Sequence, residues 1–209
     1  MPDDQAVAST NNVHTDVLLK GFNSLREANE LVDVTLNVNG RHYKAHKVVL
    51  SACSDYFRAM FTENMVESGQ NFVTLHEMSD EGFQALFQYI YTSKLQLSTG
   101  NVQEVLSAAS YLQVLPVVNR CSEYLKTELD VGNCVDVVSL AECFSLKDLQ
   151  RATYKFICTN FTAVATTPNL YRFAVGQMES LLKSNFPVDC LEVEILKYVL
   201  IWCLHKERR

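Results

Sequence analysis

Between residues 13 and 31, apolar side chains recur at Val17, Leu18, Phe22, Leu25, Ala28 and Leu31. That spacing follows the 3.6-residue period of a helix with one apolar face. The period then drops to two. Val34, Leu36 and Val38 alternate with Thr35 and Asn37, which predicts a half-buried strand. Asn39-Gly40 follows as a hairpin signal, because both residues tolerate positive φ. The returning strand carries Tyr43 and Ala45. A short helix is predicted over Lys47 to Ala52. Ser54 is placed to cap another, running to about Phe61, with Tyr56, Phe57, Met60 and Phe61 crowded on it. The stretch NFVTL, 71–75, reads as a third strand.

Helical periodicity dominates the rest. Ser79 is placed to cap a helix bearing Phe83, Leu86, Phe87, Ile90 and Tyr91. KLQLS is a short extended piece. Asn101 opens a helix with Val102, Val105, Leu106, Ala109 and Leu112, and Pro116 suits the first turn of the next. After Asn133 no strand pattern survives. CVDVVSLAECF, LQRATYKFICTNF, NLYRFAVGQMESLL and CLEVEILKYVLIWCL each show one apolar face, and Asp189 with Glu192 suggests a capping box for the last. The pattern predicts an α+β domain, a small sheet with helices, followed by all-α helix pairs. The chain ends in HKERR directly after an apolar helix, so more of this helical half is expected beyond it.

Composition narrows the function classes. The 209 residues carry 18 Lys and Arg against 24 Asp and Glu, a formal net charge of −6. No basic stripe interleaved with aromatics is present, which argues against nucleic acid as the ligand. No apolar run reaches the roughly 18 residues of a membrane span. Residues 1–12 are polar and acidic, which predicts a disordered leader rather than a secretory signal. The seven cysteines include no CxxC pair, so no zinc site or other metal site is expected. Most sit among Val, Leu and Ala, which predicts reduced, buried thiols of an intracellular protein, cytoplasmic or nuclear.

Catalytic signatures are missing. The five histidines are scattered, no HExxH, GxSxG, GxGxxG or P-loop occurs, and SACS lacks the glycines of a nucleophile turn. Neither catalysis nor a cofactor is expected, which leaves binding. Met65 draws notice: a flexible apolar side chain in a polar connector, two residues before Glu67. Such a residue either folds back into its own core or offers a plug to a partner.

The stretch LVDVTLNVNGRHYKAHKVVLSACSDYFRAMF, followed by YIYTSKLQLS and AASYLQV, resembles the BTB (POZ) domain over about residues 13–129. NCVDVVSLAECFSLKDLQRATYKFICTNF and the rest of segment 130–209 resemble the first part of the BACK domain of Kelch-like proteins. The resemblance implies a non-catalytic substrate adaptor of RING ubiquitin ligases built on the third cullin. Met65-Val66-Glu67 matches the family's apolar-x-Glu loop. The implied cullin-binding set is Tyr56, Ala59, Met60, Met65, Glu67, Tyr111, Leu112 and Gln113. Met60 and Leu112 suit the core as well, and Leu112 lies on an apolar stripe. The first helix is implied to pair two subunits through Leu18, Phe22, Leu25 and Leu31, with Asp33 beside them; a solubilising strand-edge charge is the other reading of Asp33. Substrate would bind through a Kelch region that is not in this sequence. A corepressor-recruiting regulator and an actin-associated scaffold remain as rivals.

Overall fold

Alternation sets the sheet. A computed structural model describes residues 12–62 and 69–207. β1 (Val34–Val38) buries Val34, Leu36 and Val38. Asn39 and Gly40 adopt φ of 48° and 86°, the left-handed pair that a two-residue hairpin requires. β2 (Arg41–Ala45) returns antiparallel, and β3 (Phe72–Leu75) pairs parallel to the other side of β1, giving the order β2-β1-β3. A parallel partner needs a long crossover. Within it lie α2 (Lys47–Cys53) and α3 (Asp55–Thr62).

The chain divides into two compact units after Val118. In the first, α1 (Asn12–Glu27) precedes the sheet, and α4 (Asp80–Thr92) and α5 (Val102–Tyr111) follow it. Ser79 caps α4 by accepting the Gly82 N–H at 3.1 Å. Gly82 is where α4 meets α5: a Cβ there would stand 2.4 Å from the Glu104 carbonyl oxygen. Backbone cannot yield as a side-chain tip can. Gly82→Ala is therefore expected to destabilise the chain by about 1–3 kcal/mol through overpacking, read as a lower urea midpoint at unchanged slope.

The helix α6 (Leu115–Thr127) leads into the second unit, whose regular elements among the described residues are all helical: α7 (Cys134–Cys143), α8 (Lys147–Thr159), α9 (Phe161–Ala165), a 3-10 turn (Pro168–Arg172), α10 (Val175–Leu182) and α11 (Glu192–Glu207). Its core gathers Cys134, Val138, Ile157, Cys158, Phe161, Leu170, Phe173 and Trp202. The Trp202 indole N–H reaches the Phe173 carbonyl at 3.2 Å. The Glu142 carboxylate ties three helices together, accepting the Tyr154 hydroxyl of α8 at 2.8 Å and the Gln177 amide of α10 at 3.0 Å.

Some elements depart from expectation. The first helix stops at Glu27 rather than continuing to Leu31. Asn29 turns left-handed with φ 57°, and the Glu30 and Asn29 N–H groups close back on Leu25 and Arg26 in a Schellman ending. The expected box of Asp189 and Glu192 does not form. Glu194 accepts the Leu191 N–H instead, while Asp189 accepts the N–H and hydroxyl of Thr162 at the start of α9. Residues 169–182, read as one helix, are the 3-10 turn and α10 separated by Phe173 and Ala174.

Candidate protein-docking site

The first candidate surface is built on two helix ends. Ser54 has extended backbone between α2 and α3, and its hydroxyl accepts the Phe57 N–H at 3.1 Å, as an N-cap should. This fixes which face of α3 turns inward. Phe57 is fully buried and stacks on the half-buried Phe61, with ring planes 3° apart. Tyr56, 100° around the helix, stays half-buried, as do Ala59 and Met60.

At the far side α5 ends in a Schellman motif. Gln113 is left-handed at φ 54°, its N–H bonds to the Ser110 carbonyl, and the Val114 N–H bonds to that of Ala109 at 2.8 Å. The chain reverses there and leaves Tyr111 (38% exposed) and Gln113 at the surface. The rings of Tyr56 and Tyr111 meet at 5.3 Å between centroids, so residues 55 positions apart form one aromatic patch. Leu115, also exposed, lies beyond the same turn; nothing in its spacing had marked it.

Leu112 leaves the candidate set. Its side chain is 0% exposed, packed in the core, because the turn of the Schellman motif throws it inward. Met65 and Glu67 lie outside the described residues.

The second surface is α1. Its inner side uses Leu19, Asn23 and Arg26, which line a cleft or stack against α4. The Arg26 guanidinium lies 5.3 Å from the Phe87 ring and 5.0 Å from that of Tyr91. Tyr91 is held in turn by His46. The His46 N–H donates to the Tyr91 oxygen at 2.9 Å. The His46 Nε2 meets the Glu30 carbonyl, which can only accept, so Nε2 carries the proton and Nδ1 accepts the Tyr91 hydroxyl. Burial pushes the Tyr91 hydroxyl up to about 12, so it stays neutral. Tyr91→Phe leaves the His46 N–H and Nδ1 without their shared partner, and a loss of about 1–3 kcal/mol is expected in thermal or urea unfolding.

With that inner side used, Val13, Val17, Leu18 (48% exposed) and Phe22 (36%) face outward, and Leu25 is half-buried. Leu31 is off the helix, left-handed and 79% exposed. Asp33 accepts the Lys47 N–H at 2.7 Å, so from 14 residues back it satisfies a first-turn donor of α2 rather than standing as a bare edge charge.

The cysteines are all free, though not all are buried: Cys143 is exposed, and Cys53, Cys190 and Cys203 are half-buried. Burial pushes the Cys121 thiol up to about 12 and that of Cys134 up to about 11, with Cys53 and Cys158 also raised. These thiols are protonated and unreactive at neutral pH. Among the described residues no helix is long and apolar enough to cross a membrane.

A BTB/POZ domain family model matches residues 22–129. The chain belongs to the BTB/POZ family. A second model, BTB And C-terminal Kelch (BACK), matches residues 134–209, so the BTB domain is followed by BACK. The BTB match covers α3, the end of α5 and the last part of α1, from Phe22 onward. Human Kelch-like protein 26 is 36% identical over 94% of this chain, human Kelch-like protein 13 is 35% identical over 96%, and human Kelch-like protein 28 is 35% identical over 90%. The chain spans about a third of the length of these curated relatives. It is thus similar to the BTB–BACK region of Kelch-like proteins.

Proposed function

We propose that this BTB–BACK chain is the non-catalytic adaptor part of a RING ubiquitin ligase built on the third cullin. The observation that carries this reading is the order BTB then BACK, shared with Kelch-like relatives, together with an apolar-x-Glu triplet at Met65-Val66-Glu67. The surface of Tyr56, Ala59, Met60, Tyr111 and Gln113 supports it: partly exposed and semi-apolar, with an aromatic pair at its middle, in the manner of residues that anchor interfaces. Met65 enters the cullin as an apolar plug, and Glu67 supplies a directed charge.

Two copies pair across the outward face of α1, where Val17, Leu18 and Phe22 have no full cover in their own subunit. The two-fold symmetry places one cullin on each copy. Targets are read by a Kelch region beyond this sequence and receive ubiquitin from other subunits. A pair of adaptors raises the effective concentration for targets with two recognition segments.

The test is direct binding of the purified chain to the isolated N-terminal region of the third cullin, by calorimetry or interferometry. Micromolar or tighter binding is expected. No measurable binding would return the chain to the scaffold or corepressor class.

A further inference from the structure

Ser54 belongs to both ends of the candidate docking face. It is 1% exposed, so its hydroxyl has no water to turn to. The oxygen accepts the Phe57 N–H, and the hydroxyl proton goes to the Leu112 carbonyl at 2.6 Å. Phe57 N–H is one of the donors that the start of α3 leaves without an intrahelical partner. Leu112 C=O is one of the acceptors that the end of α5 leaves open. One side chain therefore closes both deficits. It also brings the positive start of one helix to the negative end of the other without introducing a charge.

The residues on either side of this joint belong to the candidate docking face. Tyr56 lies two positions after Ser54, and Tyr111 immediately precedes Leu112. Their rings meet, 5.3 Å between centroids. α3 and α5 do not pack along each other as α4 and α5 do, so the register between the two tyrosines depends on contacts at these ends.

We propose that Ser54 is a positioning residue for cullin docking: its hydroxyl joins the start of α3 to the end of α5 and holds Tyr56 and Tyr111 as one surface. This rests on the adaptor reading above.

The experiment uses the full chain and the cullin N-terminal region, with Ser54→Ala, Ser54→Thr, Tyr111→Ala and the Ser54→Ala/Tyr111→Ala pair. Ser54→Ala is expected to raise Kd at least fivefold, and Ser54→Thr, which keeps the hydroxyl, to remain within about twofold of the unmodified chain. In the Tyr111→Ala background the same Ser54→Ala change should cost less than twofold, because the surface it registers is already broken. Equal fold-changes in both backgrounds, or a lowered melting temperature with unaltered Kd, would mean that Ser54 serves stability alone, and the proposal fails. If Ser54→Ala does not fold, the near-isosteric Ser54→Cys, a weak donor and acceptor, should raise Kd at least twofold with the same non-additivity; additivity there is equally fatal. Unchanged Kd in Ser54→Ala alongside weaker binding in Met65→Ala rejects positioning and leaves the adaptor reading standing. No binding by the unmodified chain rejects both.

Discussion

Replacing Met65 with alanine, or Glu67 with alanine, is expected to weaken binding to the cullin N-terminal region at least tenfold while dimerisation and melting temperature stay unchanged. Tenfold corresponds to about 1.4 kcal/mol, a modest demand on a residue that anchors an interface. The two changes act through different physics. Met65→Ala removes an unbranched, polarizable side chain suited to filling an irregular pocket, so its effect should persist at high salt. Glu67→Ala removes a charge, so part of its effect should shrink as ionic strength rises and screening shortens the reach of the carboxylate. Measuring Kd for both variants at two salt concentrations separates them. If neither variant moves Kd, the loop is not the contact. Weakening that tracks lost helical signal would instead place Met65 in its own core.

The second large effect concerns oligomeric state. Leu18→Glu combined with Phe22→Glu should turn a dimer into a monomer at micromolar concentration, read by light scattering. These side chains are exposed ones of α1, whereas Arg26 on its other side stacks on the Phe87 and Tyr91 rings of α4 in its own subunit. The charges should therefore split the pair without unfolding either copy. Full burial of a Leu or Phe contributes about 1.5–3 kcal/mol. Leu18 is nearly half exposed and Phe22 about a third, so each retains only part of that gain for a partner. Val13 and Val17, more exposed than either, supply more of the uncovered face. An unmodified chain that scatters as a monomer at micromolar concentration would remove α1 as a pairing element.

On this proposal cullin affinity and pairing should be separable, because the two proposed faces use different residues. The α1 variant should bind the cullin fragment with unchanged Kd per subunit, while avidity toward an immobilised, densely spaced cullin falls.

Local periodicity determined much by itself. The alternation of Val34, Leu36 and Val38, the left-handed pair Asn39-Gly40, the caps at Ser54 and Ser79, and the apolar faces of α4 and α5 all arise from side-chain period and backbone preference, which act within a few residues. Family membership was equally legible, because its motifs are ordered along the chain. The two tyrosines of the candidate site and Gln113 were found from that likeness rather than from any periodicity.

Tertiary structure decided what depends on distant partners. Asn29, Gln113 and Ser145 take left-handed φ at helix ends where no glycine signals a stop. A single left-handed residue is tolerated at each because the hydrogen bonds of the turn offset its strain, so α1 ends before Leu31; at Gln113 the buried Leu112 and Val114 on either side add to that, and Leu112 is drawn inward. Asp189 had two helix starts within reach, and its own lost to α9, 27 residues back, because the fold carries its carboxylate to Thr162. Ser54 read as an ordinary cap; only packing brought the Leu112 carbonyl to the other side of its hydroxyl. The chain's own pattern thus set which residues turn inward along each element, a matter of short-range sterics and period. Which element ends meet, and hence which surfaces are offered outward, was set by contacts between residues tens of positions apart, which no local pattern encodes.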